Sequence, residues 1–341
     1  MNYKVNDNLR LFAILRCPLV SRIQRSFEVA VLYPLFHTRF KDNLSKQFSF
    51  LTSTDLCESF KTVVGMAVYI EDRFEWVEQA INSVLQQTYQ NFVFIIVIDG
   101  EIDDQIYTYL CDKCRLNKQM ILVHNRSNLG LSSCMNFVID WVLAKNDETK
   151  YFFRMDADDI SEKDRLSSQI DYLEKHQNVS ILGCALKEIN EHGAVVGKRK
   201  LPLKHGDIVK FLPKRCSINH PTVAIRFSVF KDGFRYDEAL RNTQDYFLWI
   251  ELAAAGYQFA NLGKKLLQFR RVNDFYKRRG LNKSLNEFKA RFYAMRVLKR
   301  YTFGNIVYAF AVLFLRLMPP KVVKLAYKLD RYLLARKVRH E

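Results

Sequence analysis

The 341-residue sequence lacks a long apolar segment. Its longest apolar run extends from Ile306 to Leu315, which is about half of the ~20 residues that a membrane-spanning helix needs. A shorter run at residues 11–15 is interrupted by Arg16 and has no small-residue cleavage site after it, so we expect no secretory signal. The sequence therefore predicts a globular protein that does not span a membrane.

A framework of paired cysteines is also lacking. The seven cysteines are odd in number and scattered along the chain, which argues against disulfides and favours a reducing, cytoplasmic location. Cys111 and Cys114 have the spacing of a redox or zinc pair, but no second pair accompanies them. We interpret them as buried or incidental cysteines of an amphipathic helix.

Acidic residues are few relative to basic ones, at 36 Asp and Glu against 53 Lys and Arg, and the net charge is +17. This balance leaves three classes of partner open, namely nucleic acid, an anionic membrane surface and a phosphorylated substrate. Much of the excess lies in the two termini, and the sequence contains no recognised nucleic-acid-binding motif. We therefore expect no nucleic-acid partner.

Apolar strands alternate with amphipathic helices from residue 62 to residue 155. The predicted strands are Thr62–Val68, Phe92–Ile98, Met120–Val123 and Tyr151–Met155, and helical patterns lie between them. Such alternation predicts an α/β fold in which a mostly parallel, Rossmann-like sheet is flanked by helices. Farther along, Ala185–Val196 predicts a hairpin that turns at residues 190–193, and the stretch Thr243–Trp249 opens another helix.

Two basic extensions flank this predicted core of residues 59–275. Residues 1–58 predict one or two short helices, and residues 276–341 predict basic amphipathic helices that are a candidate anchor at a membrane surface. In the second extension Val322, Leu325 and Leu329 line one side of a helical pattern and lysines line another. This arrangement is typical of a helix in a membrane interface, although an ordinary surface helix has the same pattern.

Carboxylates follow two of the predicted strands. Asp156, Asp158 and Asp159 end the fourth strand, and Asp99 ends the second. Because the carboxyl ends of parallel strands meet at one edge of a sheet, we expect Asp99 and Asp156 to converge. Asp156 and Asp158 could share one Mg²⁺ or Mn²⁺ ion, which prefers oxygen ligands. The alternative is that Asp158 or Asp159 caps a helix that begins near Ser161.

Several ordered motifs between residues 62 and 280 resemble those of family 2 glycosyltransferases with the GT-A fold. The subgroup that they resemble is the bacterial enzymes of amylovoran-biosynthesis type. The motifs are Val64–Tyr69, Ala80–Phe92, Ile96–Gly100, Asn128–Asn136, Arg154–Asp159, Asn219–Val223 and Tyr276–Gly280. The resemblance implies transfer of a hexose or N-acetylhexosamine, with inversion, from a nucleotide sugar to a growing bacterial surface glycan.

The resemblance also implies where the donor binds. The nucleotide would lie against Ala67, Val68, Tyr69 and Asp99, with a UDP-sugar as the favoured donor. Asp156 and Asp158 form the Asp-x-Asp motif that holds a divalent ion on the donor diphosphate, Asp158 being the firmer ligand. Arg278 and Arg279 are candidates for clamping the diphosphate, because guanidinium groups match phosphate oxygens; a solvated basic face is the alternative.

On the acceptor side, the resemblance assigns Asp245 as the base that takes a proton from the acceptor hydroxyl. A helix N-cap is the alternative role for Asp245. Gln244 stands where the family usually has Glu, Ala67 where Pro or Ser is usual, and Ile70 where Asn is common. His220 is either an acceptor-site or metal-side residue, or a structural histidine before Pro221.

We expect the acceptor to be lipid-linked and the protein to lie at the inner face of the cytoplasmic membrane, on an anionic surface. Two other functions remain open from sequence. A sugar nucleotidyltransferase would need a glycine-rich, basic loop after the first strand, and Gly65 alone does not make one. A non-catalytic nucleic-acid-binding protein would account for the positive charge alone.

Overall fold

A computed structural model describes residues 47–52, 60–146, 148–271 and 281–318. The strands are β1 (Phe48–Phe50), β2 (Thr62–Val68), β3 (Val93–Asp99), β4 (Met120–Asn125), β5 (Tyr151–Asp156), β6 (Ile160–Ser161), β7 (Val179–Ile189), β8 (Val195–Arg199), β9 (Ala224–Arg226) and β10 (Gln258–Arg270). The helices are α1 (Phe74–Leu85), α2 (Asp104–Leu116), α3 (Leu131–Lys145), α4 (Arg165–Lys175), α5 (His205–Phe211), α6 (Ser228–Lys231), α7 (Gln244–Ala254), α8 (Leu281–Val297) and α9 (Phe303–Leu317).

All ten strands belong to one sheet, in the order β1-β4-β3-β2-β5-β9-β7-β10-β6, with β8 paired to β7. The neighbours β4-β3, β3-β2, β2-β5 and β7-β10 are parallel, and the pairings of β1, β6, β8 and β9 are antiparallel. The predicted α/β fold with a mostly parallel sheet is therefore confirmed.

The central strands are apolar on both faces because helices cover both faces of the sheet. Every residue of β3 is buried, and α1, α2 and α4 share one core with the strands. Helix α3 packs against β2 and β3. Gly65 of β2 allows Phe152 to approach closely there, since a Cβ atom at Gly65 would lie 3.0 Å from the Phe152 ring.

The predicted hairpin is confirmed as β7 and β8, and its turn contains Gly193 with a positive φ of 84°. The long strand β10 was not predicted. Its apolar pattern is interrupted by Gly263, Lys264 and Lys265, where the pairing with β7 shifts register. The sequence signal is therefore weak at the place where the strand bulges.

The N-terminal prediction needs one correction. Within residues 1–58, which were predicted to be helical, Phe48–Phe50 is an edge strand antiparallel to β4. Phe48 stacks on Phe137 of α3, with ring centroids 4.1 Å apart, so aromatic packing holds this strand to the sheet. Residues 1–46 and 53–59, which include the predicted boundary at 58/59, lie outside the described residues.

The second extension is described in part. Residues 281–318 form α8 and α9, whereas residues 272–280 and the predicted interfacial segment 321–329 lie outside the described residues. Among the helices that the structure describes, none has the length and apolarity required to cross a membrane.

Candidate active site

The candidate site lies at the edge where β2, β3 and β5 end. Strand β2 lies between the other two, and Ala67 is in register with Val97 of β3 and with Asp156 of β5. Val68 is in register with Ile98, so Asp99 follows immediately beyond that pair. The predicted convergence of Asp99 and Asp156 on one edge is thus explained by their places on either side of β2.

Three carboxylates lie together in the turn after β5. Ligand oxygens of Asp156, Asp158 and Asp159 are all within 4.8 Å of one another. Burial, followed by the charge of Asp156, raises the pKa of Asp158 to about 6. Burial also raises the pKa of Asp159, with Asp158 and Asp156 adding to the effect. Such a cluster disfavours its own ionisation, and a cation would relieve the repulsion.

The trio is fixed by the backbone of β10 and not by a helix. The N–H of Arg270 donates to Oδ1 of Asp159 at 2.9 Å. Oδ2 of Asp159 is buried and has no hydrogen-bond partner in the part of the chain that the structure describes. Helix α4 begins only at Arg165, with Asp164 at its N-cap position. The alternative that Asp158 or Asp159 caps this helix is therefore wrong.

Arg270 is a site residue that sequence reasoning missed. Its Nε donates to the backbone oxygen of Asp158 at 2.9 Å, and its Nη2 donates to Oε1 of Gln79 at 2.6 Å. The guanidinium also lies over the Trp76 ring, 5.1 Å from the centroid. Arg270 thus holds the acidic turn against α1. No local pattern marks it, because its partners are up to 191 positions away in sequence.

Asp72 is a fourth acid near the trio and was also missed. It lies in the loop between β2 and α1, where the backbone N–H of Tyr69 donates to its Oδ2 at 2.9 Å. Burial raises its pKa to about 7 despite this hydrogen bond, and Asp158 and Asp156 contribute to the rise. The acidic pair Glu71–Asp72, directly after a predicted strand, was the available signal.

Asp99 is buried and already accepts three hydrogen bonds. Asn125 Nδ2 and the backbone N–H of Leu129 donate to Oδ1, both at 2.9 Å, and the N–H of Gly130 donates to Oδ2 at 2.8 Å. Gly130 has a φ of 91°, a conformation that favours glycine. Asp99 therefore fixes the loop that leads into α3, and its predicted contact with a nucleotide stays a prediction.

Arg154 brings a buried positive charge between the two sides of the site. It precedes Asp156 by two residues on β5, and its Nη2 donates to Oδ1 of Asp156 in an ion pair. Its Nε and Nη1 are buried without a hydrogen-bond partner among the described residues. Burial raises the pKa of Asp245, and the charge of the Arg154 guanidinium opposes that rise. Burial lowers the pKa of His220, and the same charge adds to that fall. Arg154 lies within the motif Arg154–Asp159, but the sequence alone did not predict a role for it.

Asp245 lies in the first turn of α7 and is partly buried. The N-cap position belongs to Thr243, so the alternative of an N-cap role for Asp245 is wrong. Burial raises the pKa of Asp245, and the backbone N–H of Tyr246, Arg154 and Lys283 oppose the rise. The raised pKa makes this carboxylate a better proton acceptor than an exposed one.

The two predicted acceptor-side residues differ in environment. His220 is buried, its Nε2 is 3.1 Å from the Tyr236 hydroxyl, and its ring packs on Trp249. Burial, with the charge of Arg154, lowers the pKa of His220, so the ring is neutral. These contacts favour the structural alternative for His220. Gln244 is buried beside Asp245, and within the described ranges its Oε1 has no partner.

The remaining predicted donor residues are described in part. Ala67 and Val68 end β2, and Tyr69 follows with its hydroxyl 3.2 Å from Oε2 of Glu71. Arg278 and Arg279 lie outside the described residues.

Comparisons with known proteins show which family the sequence matches. The model of the Glycosyl transferase family 2 matches residues 63–234. The amylovoran biosynthesis glycosyltransferase AmsE of Erwinia amylovora is 30% identical over 271 residues, which cover 79% of this chain and 98% of that protein. A UDP-Gal:alpha-D-GlcNAc-diphosphoundecaprenol beta-1,3-galactosyltransferase of Escherichia coli is 26% identical over 270 residues, covering 79% and 95%.

The fold has solved relatives. The crystal structure of S. aureus TarS 1–349 in complex with UDP-GlcNAc superposes with a TM-score of 0.51. The match covers 77% of this chain and 83% of that one at 16% identity, and it supports the fold alone.

Proposed function

The chain belongs to glycosyl transferase family 2, and from that membership we propose that it transfers a sugar from a nucleotide sugar to a hydroxyl group, with inversion and with a divalent ion. The observation that carries the proposal is the carboxylate trio at the ends of the parallel strands, with oxygens within 4.8 Å of one another. Asp245 supplies a separate, partly buried acid on a different element.

Asp156 and Asp158 would hold the ion, Mn²⁺ or Mg²⁺. The fit is supported by the all-oxygen donor set and by the buried, unpartnered Oδ2 of Asp159, in the stretch that the structure describes. A bound ion would neutralise the charge that develops on the leaving diphosphate. The backbone N–H of Arg270 holds the carboxylate of Asp159, and the Arg270 guanidinium holds the backbone of the turn at Asp158.

The donor would bind along the end of β2. Ala67 and Tyr69 are partly exposed and offer a surface for the base and ribose, whereas Val68 is fully buried in the core. Asp99 keeps the neighbouring loop in place. A UDP-sugar is favoured because the E. coli relative is named for UDP-Gal. Arg278 and Arg279 remain candidates for the diphosphate.

Asp245 would act as the base. Its carboxylate takes the proton of the acceptor hydroxyl as that oxygen bonds to the anomeric carbon, while the bond from carbon to the diphosphate oxygen breaks on the opposite face. The charge of Arg154 favours the ionised form of Asp245 that this step needs. Gln244, beside it, would border the acceptor, whereas the contacts of His220 with Tyr236 and Trp249 fit a structural role.

The acceptor is proposed to be a lipid-linked glycan of a bacterial surface polysaccharide, at the cytoplasmic side of an anionic membrane. Support comes from the E. coli relative, whose name includes diphosphoundecaprenol, and from the amylovoran relative. The net charge of +17 favours such a surface.

A screen of nucleotide sugars with Mn²⁺ or Mg²⁺, reading out the released nucleotide, tests the function. Release of nucleoside diphosphate that requires both an acceptor glycan and Asp245 is the expected result. Asp245→Asn is the matched variant, and Asp171→Asn, on the exposed side of α4, is the control. Release of pyrophosphate would instead identify a nucleotidyltransferase and would refute the proposal.

A further inference from the structure

Helix α9 presents an aromatic face that is largely exposed in the part of the chain that the structure describes. Phe303, Val307, Phe310 and Phe314 recur at spacings of four, three and four residues, so they lie on one side of the helix. They are 84%, 47%, 55% and 64% exposed. We call these four residues the aromatic stripe. Exposed phenylalanines spaced in this way form a continuous apolar surface and not a scatter of single side chains.

The other side of α9 is packed, so the helix is held in place along the surface of the domain. Ala309 and Asn305 are buried, and α9 packs against α8, which in turn contacts α7. The Phe310 ring also reaches back to α8, 5.2 Å from Phe288 and 5.9 Å from Phe292 between centroids. The stripe is therefore displayed on a fixed support that connects, through α8, to the helix bearing Asp245.

The charge around the stripe is of one sign. No acidic residue occurs between Glu287 and Asp330, and this stretch carries nine lysines and arginines. Three of these cations, Lys289, Arg296 and Lys299, are exposed in the structure, and the first two share one side of α8. An apolar stripe in a segment whose charged side chains are all cations is complementary to a layer with apolar chains beneath anionic head groups.

A second copy of the chain fits this surface less well. A symmetric dimer through the stripe would bring two copies of the same acid-free, basic segment together, and like charges oppose such contact. An anionic bilayer satisfies both features, because phenylalanine side chains enter the interface while lysine and arginine remain at head-group level.

We propose that the aromatic stripe of α9 docks this protein onto an anionic bilayer, with the four apolar side chains in the interface and the surrounding cations at the head groups. The inference deepens the proposed function, on which it rests for the lipid-linked nature of the acceptor. Within the region predicted as a membrane-surface anchor, residues 276–341, it assigns the contact to four named side chains of α9, whereas the sequence pattern singled out residues 321–329.

The test is sedimentation of the full chain with vesicles of phosphatidylglycerol and phosphatidylcholine in equal parts. The double variant Phe303→Ser/Phe314→Ser should bind these vesicles at least about tenfold more weakly, because two interfacial apolar groups are lost. The matched control is Leu116→Ser/Val195→Ser, since these residues are 81% and 65% exposed but lie on α2 and β8. The control should bind like the unaltered protein.

Unchanged vesicle binding by the stripe variant would overturn the inference. So would equal binding of the unaltered chain to vesicles of phosphatidylcholine alone, because the charge argument would then fail. A dimer in lipid-free solution that the stripe variant dissociates would assign the surface to a second copy instead.

A direct measurement of depth complements the binding assay. In the variant Phe314→Trp, lipids brominated on their acyl chains should quench the fluorescence of the new tryptophan. In the variant Leu116→Trp, the fluorescence of the new tryptophan should not be quenched. Mn²⁺-dependent binding of UDP, measured in the same variants, separates the two proposals. Vesicle binding that depends on the stripe, without UDP binding, would refute the donor site and support the stripe. UDP binding, with vesicle binding that does not depend on the stripe, would refute the stripe and support the donor site.

Discussion

Removing one carboxylate of the trio should weaken metal binding and, in the absence of metal, should stabilise the fold. Asp158→Asn removes one of the two proposed ligands, so the folded protein should lose most of its affinity for Mn²⁺. The same change should make the metal-free protein more stable. Both effects follow from the crowding of Asp156, Asp158 and Asp159 at the end of β5.

The magnitude follows from the pKa of Asp158, which burial and the charge of Asp156 raise from 3.8 to about 6. At about 1.4 kcal/mol per pKa unit, the ionised carboxylate destabilises the folded protein by up to about 3 kcal/mol. A carboxyl group with a raised pKa binds its proton more tightly in the folded state. The penalty is therefore complete above about pH 6 and disappears as the pH falls towards about 4.

Urea unfolding in EDTA, at about pH 8 and about pH 4, measures the stability of the metal-free protein. The variant should be more stable than the unaltered protein at the higher pH and equal to it at the lower. Adding Mn²⁺ to about a hundred times its dissociation constant should stabilise the unaltered protein by about 2.7 kcal/mol and the variant by much less. Asp171→Asn is the control. Equal responses to Mn²⁺ in all three proteins would refute the metal site.

Three further predictions concern the neighbouring residues. Asp245→Asn should lower the transfer rate by about 10²–10⁴-fold, as expected for loss of a general base, and should leave Mn²⁺-dependent UDP binding unchanged; an unaltered rate would show that another group is the base. Arg154→Met should move the acidic limb of the pH–rate profile to higher pH, because its charge now lowers the pKa of Asp245; an unmoved limb would contradict that coupling. Asp99→Asn should reduce the free energy of unfolding by about 1–3 kcal/mol in urea titrations, because an amide cannot accept from both the Leu129 and Gly130 N–H groups as the two carboxylate oxygens do; no loss of stability would mean that the loop is held by other contacts.

Local patterns were sufficient to predict most elements of the fold. The continuous apolar runs of β2, β3 and β5 and the helical spacing of α1, α3 and α4 were all identified, because side-chain periodicity reports which faces are buried. Strands β1 and β10 were missed. The first is only three residues long, and the second is interrupted by Gly263, Lys264 and Lys265, so neither shows an alternation long enough to recognise.

Some features of the candidate site also follow from local sequence patterns, and others depend on tertiary packing. The sequence by itself determined that Asp99 and Asp156 end parallel strands and so share an edge, because topology follows from the order of strands and helices. Only the tertiary structure decided that Arg270 holds the acidic turn, that Asp72 lies near the trio, and that Arg154 acts electrostatically on both Asp156 and Asp245. Sequence periodicity fixes which way a side chain faces within its own element. Which charges meet depends on strand register and on how distant elements pack, and these are settled only when the whole chain has folded.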